Sequence, residues 1–217
     1  PTIKTMNSPF QNVKAILFDA GSTLLTEESI YQDRVERTIA LNHLALRYDD
    51  FLKGFKEASE KRMNPYIYTC DKLGIEKRVP WDFSSEAPYP GVPEMLHSLR
   101  PHYQLGIVAN QPPHFDARIK KLGLWGDFAI VIGSDDYGLR KPDPAIFLLA
   151  LHKLGVQPAE AVMVGDRLEN DIVPAKKLGL KAIWVKQGFA RYQTPEKEEE
   201  KPTAALDSIT ELPQLLL

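Results

Sequence analysis

The chain reads as an α/β protein, a doubly wound parallel sheet carrying an inserted helical unit. Three features carry that reading. Short, continuously apolar runs recur along the 217 residues. Leu-Gly-apolar triplets close the helix-length segments between several of them. The second run is delayed by about sixty residues of helical pattern.

The expected strands are "KAILF" (14–18), "QLGIVA" (104–109), "FAIVIG" (128–133), "AVMVG" (161–165) and "KAIWV" (181–185). Unbroken apolar runs of this length fit strands buried on both faces, with helices above and below a parallel sheet. The triplets start at Leu73, Leu122, Leu154 and Leu178, and a glycine just past a helix takes the left-handed conformation at little cost. Pro93 opens a helix carrying Leu96 and Leu99 and ended by Pro101. Residues 143–154 are apolar almost all round, as a well-buried helix is. Strand alternating with helix over 100–186 gives the doubly wound class.

Between Leu25 and Pro88 the pattern is helical throughout. Ile30, Val35 and Ile39 share a face; Asp49 or Asp50 is placed to cap a second helix bearing Phe51, Phe55 and Ala58; Asn64-Pro65 opens a third, closed by Gly74. A parallel crossover needs only a dozen or so residues. Residues 26–87 are therefore expected to form an inserted unit, with 1–25 and 88–217 forming the α/β core.

Composition excludes several functions. Net charge is -2, so no basic excess points to nucleic acid and no polybasic block to an anionic membrane. No apolar run approaches a membrane span of about 20 residues, and the first fourteen residues lack a signal peptide's apolar core. The single cysteine, Cys70, fits a reducing, cytoplasmic setting and reads as a small half-buried residue. The run "EKEEEK" (196–201) reads as a solvated loop; Trp81, Trp125 and Trp184 read as packing anchors. Nothing sets an oligomeric state.

Ligands in doubly wound sheets bind outside the carboxyl ends of the strands. Those ends carry Asp19; Ala109 and Asn110; Lys141 in "GLRKPDPAIF"; and Asp166 and Asp171 in "GDRLEND". Three carboxylates and one amine thus gather at one edge. Two like charges about 4 Å apart repel by about 4 kcal/mol at an effective dielectric of about 20. Lys141 offsets one of them, and a hard divalent cation, Mg²⁺ beside phosphate, would offset the rest.

These residues make the chain resemble the haloacid dehalogenase superfamily. "AILFDAGSTLL" matches its first motif, a strand running into D-x-D-x-T; "RKPDPAIF" matches the third; "VMVGDRLENDI" matches the fourth, GD-x-x-x-x-D. The inserted helical unit matches its small cap. The resemblance implies a phosphatase acting on a small phosphorylated substrate, with Asp19 as nucleophile and Lys141 neutralising the phosphate and holding Asp19. Asp19, the Gly21 carbonyl and Asp166 would hold Mg²⁺, supported by Asp171, and Thr23 would orient the turn after Asp19.

Two positions depart from the pattern. Gly21 replaces the aspartate that serves as general acid and base, and Ala109 replaces a Ser or Thr that grips phosphate. Asn110, or backbone N–H groups of Asn110 and Gln111, are the expected replacement for the grip. Glu27, Glu28, Asp33 and His114 are the candidates for the proton shuttle, His114 because it lies near the expected site. Two other readings stay open: a phosphonate- or carbon–halogen-cleaving hydrolase, the former needing an amine such as Lys53, Lys56 or Lys61; and a binding or regulatory module with weak turnover.

Overall fold

A computed structural model describes residues 8–217, so half of the expectation about the first fourteen residues lies outside the described part. Five strands fall where the apolar runs lie: β1 (Ala15–Phe18), β2 (Gln104–Ala109), β3 (Ile130–Gly133), β4 (Ala161–Gly165) and β5 (Lys181–Val185). A short sixth, β6 (Ala204–Leu206), extends the edge. Its three residues are apolar but half-exposed or exposed, too short a run to announce a strand. All pairs are parallel, and the order is β3-β2-β1-β4-β5-β6. The chain steps outward from β1 to β3, then returns to β1's other side, making β1 the switch point.

Alternate residues feed two cores. Ile16 and Phe18 of β1 join Ile107, Val162 and Val164 on one face. There they pack on α4 (Val92–Leu99), α5 (Phe115–Lys121) and α9 (Leu212–Leu216). Ala15 and Leu17 face the other way, onto α7 (Pro144–Leu154) and α8 (Val173–Lys177). A short α6 (Ser134–Tyr137) follows β3. Gly74, Gly123, Gly155 and Gly179 all have positive φ, as the triplets required. Among the described residues no helix is long and apolar enough to cross a membrane.

Three helices fill the long crossover: α1 (Glu28–Leu41), α2 (Tyr48–Glu60) and α3 (Pro65–Lys72). They share a core of Tyr31, Val35, Phe51, Phe55, Tyr66, Cys70 and Ile75. Asn64 caps α3, accepting the Ile67 N–H at 3.0 Å. The start of α2 differs from expectation: Arg47 flanks it, and Asp50, inside the first turn, accepts the Arg47 N–H at 2.9 Å.

Side-chain placement corrects three further expectations. Cys70 is fully buried rather than half-buried, because it sits inside the three-helix core. Trp125 is 41% exposed, with Lys120 Nζ 4.3 Å above its ring. The acidic run is not all solvated: Glu200 is buried, accepting the N–H groups of Glu196 and Lys197 and pairing with Arg62 at the end of α2. That pair, with the Ser59 hydroxyl donating to the Phe189 carbonyl at 2.6 Å, joins the helical unit to the loop after β5.

Candidate active site

Four strand ends meet at one edge of the sheet. The Asp19 N–H donates to the Val164 carbonyl at 2.9 Å, holding the residue in register as β1 ends. Asp166 follows β4, its carbonyl accepting the Trp184 indole N–H at 2.6 Å. A single turn of π-helix, Leu168–Ile172, then brings Asp171 back beneath the loop. There its carboxylate accepts the Arg167 N–H at 3.0 Å. A Cβ on Gly165 would lie 2.4 Å from that carboxylate, so β4 must end on glycine.

Lys141 is the centre of the arrangement. It is 3% exposed, and its ammonium donates to Asp19 at 2.6 Å and to Asp171 at 2.5 Å. Burial opposes its charge, yet the two carboxylates hold it firmly protonated. Burial pushes Asp171 up to about 6, against the opposing pull of Lys141. Asn110, after β2, clamps the Lys141 backbone, donating to its carbonyl at 2.9 Å and accepting its N–H at 2.8 Å.

Asp166 is the member whose carboxylate takes no hydrogen bond among the described residues, and it is buried. Burial and the Asp19 charge raise its pKa well above the ordinary value. One oxygen from each of Asp19, Asp166 and Asp171 lies within 4.8 Å of the others. A buried carboxylate without a donor, beside two more, is the ligand set a hard divalent cation takes.

The site opens into a polar cavity of about 300 Å³, at the small end of ligand pockets. Core residues form its floor; Glu27, Tyr31, Asn64, Trp81 and Phe83 form its roof. Glu27, just before α1, reaches back over Gly21 and accepts the Ser22 hydroxyl at 2.7 Å. An ideal Cβ on Gly21 would lie 2.3 Å from Glu27 Oε1. An aspartate's own carboxylate oxygens lie roughly 2.4 Å from its Cβ, from bonds of about 1.5 and 1.25 Å. Glu27 thus puts an oxygen at the distance from position 21 that an aspartate there would give. Withdrawal from solvent pushes its carboxyl up to about 7, against the opposing Ser22 hydrogen bond.

The haloacid dehalogenase-like hydrolase family matches residues 13–179, which span the floor and the whole helical unit. The chain belongs to that family. It is a hydrolase related to phosphatases. It is 31% identical to the glyceraldehyde 3-phosphate phosphatase of Pyrococcus furiosus, over 95% of this chain and 92% of that protein. It is 27% identical to the phosphoglycolate phosphatase of Aquifex aeolicus, over 88% and 94%. A crystal structure of a haloacid dehalogenase-superfamily phosphatase from Thermococcus onnurineus superposes with a TM-score of 0.62 at 27% identity, covering 94% of this chain and 98% of that one.

Against the family pattern, the structure brings Asp19, Gly21, Asn110, Lys141, Asp166 and Asp171 to one cavity. The Asn110 amide holds the Lys141 backbone with its oxygen and one N–H, and lines the cavity with a second N–H left over. The Thr23 hydroxyl is buried without a partner and orients nothing among the described residues. Of the four shuttle candidates only Glu27 lines the cavity. Glu28 is exposed and accepts the Tyr89 hydroxyl; Asp33 is exposed and pairs with Arg37. His114 flanks α5, exposed, its N–H on Asp136. Lys53, Lys56 and Lys61 are exposed and line none of it. Trp81 packs on Tyr31 and lines the cavity as well. Arg167 in the cavity wall was missed, although its place beside the motif aspartate was the available signal.

Proposed function

We propose that the chain is a Mg²⁺-dependent cytoplasmic phosphatase that hydrolyses a small phosphorylated molecule through a phosphoaspartate at Asp19. The carrying observation is the Lys141 ammonium held between Asp19 and Asp171, next to a buried Asp166 whose carboxylate takes no hydrogen bond among the described residues. Asp19, Asp166 and the Gly21 carbonyl would hold the metal, which would supply positive charge to the phosphate oxygens. Lys141 orients the Asp19 carboxylate and adds the second positive charge. An Asp19 oxygen attacks phosphorus, the bond to the substrate oxygen breaks, and that oxygen takes a proton from Glu27. Glu27 then takes a proton from water as it attacks the same phosphorus, releasing phosphate and restoring the Asp19 carboxylate. Asp171 acts by holding Lys141 and the Arg167 backbone in place.

Residues 26–87 serve as the cap over this site, excluding water and limiting substrate size. The cavity volume and the names of the relatives both support a substrate of a few carbons. The lone buried thiol supports a reducing compartment. Position 21 carries no carboxylate, yet Glu27 supports turnover rather than a binding module, because its oxygen lies as far from a Cβ at position 21 as an aspartate's own would and its carboxyl lines the cavity.

The test is turnover of para-nitrophenyl phosphate and a panel of small phosphorylated metabolites with and without Mg²⁺. Metal-dependent turnover is expected, with loss of at least about 10⁴-fold in Asp19→Asn, since an amide is a poor nucleophile. Undiminished turnover in that variant would remove Asp19 from the mechanism. Absence of turnover with metal bound would favour the binding module.

A further inference from the structure

Arg167 follows Asp166 directly, and its backbone is pinned by the Asp171 carboxylate at 3.0 Å. Its side chain enters the cavity wall between floor and roof and is only 33% exposed. Four described arginines are withdrawn from full exposure: Arg34, Arg62, Arg118 and Arg167. Arg34 donates to the Val79 carbonyl, Arg62 to Glu200, and Arg118 to Glu86 and Gln111. Arg167 alone among them donates no side-chain hydrogen bond to any described residue. Its closest carboxylate oxygen, on Glu169, is 3.9 Å away.

Neither neighbouring glutamate takes a hydrogen bond from it: Glu169 accepts the Gln193 amide at 2.8 Å on one oxygen and leaves the other 3.9 Å from the guanidinium, and Glu27 accepts the Ser22 hydroxyl at 2.7 Å. Asp166 belongs to the proposed metal site. None of these carboxylates takes a hydrogen bond from the guanidinium's five donors. A covered guanidinium with unused donors favours a planar, two-oxygen acceptor, which it meets with two parallel hydrogen bonds. The other cavity arginine, Arg140, is 63% exposed and already paired with Asp135 at 3.3 Å.

Resting on the phosphatase reading, we infer that Arg167 selects the substrate: it receives a carboxylate carried at the end of the molecule remote from phosphorus. A cavity of about 300 Å³ takes a short molecule, and the guanidinium fork matches the two coplanar oxygens of a carboxylate. The substrate class is a small phosphorylated carboxylic acid.

The experiment uses the Mg²⁺-loaded enzyme and a matched pair, phosphoglycolate and ethylene glycol phosphate, which differ by a carboxylate against a hydroxymethyl group. The acid is expected to be favoured in kcat/KM by about 10- to 100-fold, the range of one charge-assisted pair. Arg167→Gln is expected to bring that ratio close to one, chiefly through the KM of the acid. Arg167→Lys is expected to recover it in part, since a point charge lacks the fork. As a check free of any variant, phosphonoacetate is expected to inhibit para-nitrophenyl phosphate hydrolysis more tightly than propylphosphonate. Equal handling of the pair, retention of the preference in Arg167→Gln, or its loss in Arg140→Gln instead would overturn the inference alone. So would turnover of para-nitrophenyl phosphate with neither member of the pair accepted. Failure to turn over any phosphate ester would overturn the phosphatase reading, and this inference with it.

Discussion

The floor of the cavity holds its side chains by bonding them to one another, whereas the roof holds its own by packing. On the floor, Lys141 touches Asp19 and Asp171 at once, and Asn110 grips the lysine backbone from both sides. On the roof, Tyr31 stands edge-on to Phe55, Trp81 and Phe189, with ring centroids 4.8 to 5.3 Å apart. Glu27 rests there on one side-chain hydrogen bond from Ser22. A bonded charge cluster fails as a unit when one member leaves, because the others stay buried and unpaired. A packed wall tolerates change one residue at a time. The floor should therefore set whether the reaction occurs, and the roof how well it proceeds and on what.

Substitutions can break that division. Lys141→Ala should be the most damaging after loss of the nucleophile. It leaves the Asp171 carboxylate buried and uncompensated, costing about 3–5 kcal/mol of stability. Turnover should fall by at least about 10²–10³-fold as well. Thermal melting and turnover of the folded fraction, measured together, check both effects. A loss of turnover with an unchanged melting midpoint would mean the floor is not an interdependent unit.

Glu27→Gln is the sharper test of the roof. Hydrolysis of alkyl phosphates, whose leaving oxygen needs a proton, should fall by about 10²–10⁴-fold. Aryl phosphates should be affected less, and melting hardly at all. Gly21→Asp by itself should give little gain, because its side chain displaces the Glu27 carboxylate end and puts one carboxylate in place of another. In a Glu27→Ala background the same aspartate should recover much of the lost alkyl-phosphate activity. An equal loss on both leaving-group classes, or no recovery in the double variant, would take proton transfer away from Glu27.

A smaller effect is expected where roof and floor are joined. The hydrogen bond from Arg62 lowers the Glu200 carboxyl from 4.5 to about 2. The unfolded chain therefore binds the extra proton, and this contribution, full above about pH 4.5, is lost as pH falls towards 2. Melting midpoints of the wild type should drop more steeply across that window than those of Glu200→Gln. Parallel curves would show that the pair does not help hold the helical unit to the core.

The two regions also differ in how far the sequence announced them. The floor was legible because each buried strand is an unbroken apolar run, and a carboxylate, amide or amine at the end of such a run has one edge to go to. Asn110 was legible at its strand end, but its clamp on Lys141 was not, since that depends on where the loop after β3 returns. The roof was harder to read. Glu27, Glu28, Asp33 and His114 look alike as candidates in one dimension; only the departure angle of α1 turns Glu27 over Gly21 and leaves Glu28 outside. Glu200 hid inside an acidic run because the arginine that buries it lies 138 residues away. Short β6 carried too few apolar residues to register.

The central claim is that Asp19 carries the phosphoryl group and Glu27 moves the protons around it. Acid quenching during turnover of an aryl phosphate, followed by borohydride reduction and peptide mass analysis, reads this directly, because a reduced acyl phosphate leaves homoserine at its position. Homoserine at position 19 is expected in the wild type, and in a larger fraction in Glu27→Gln, where water attack on the phosphoaspartate is slowed. Steady turnover with no homoserine at 19, or homoserine at another aspartate, would contradict it.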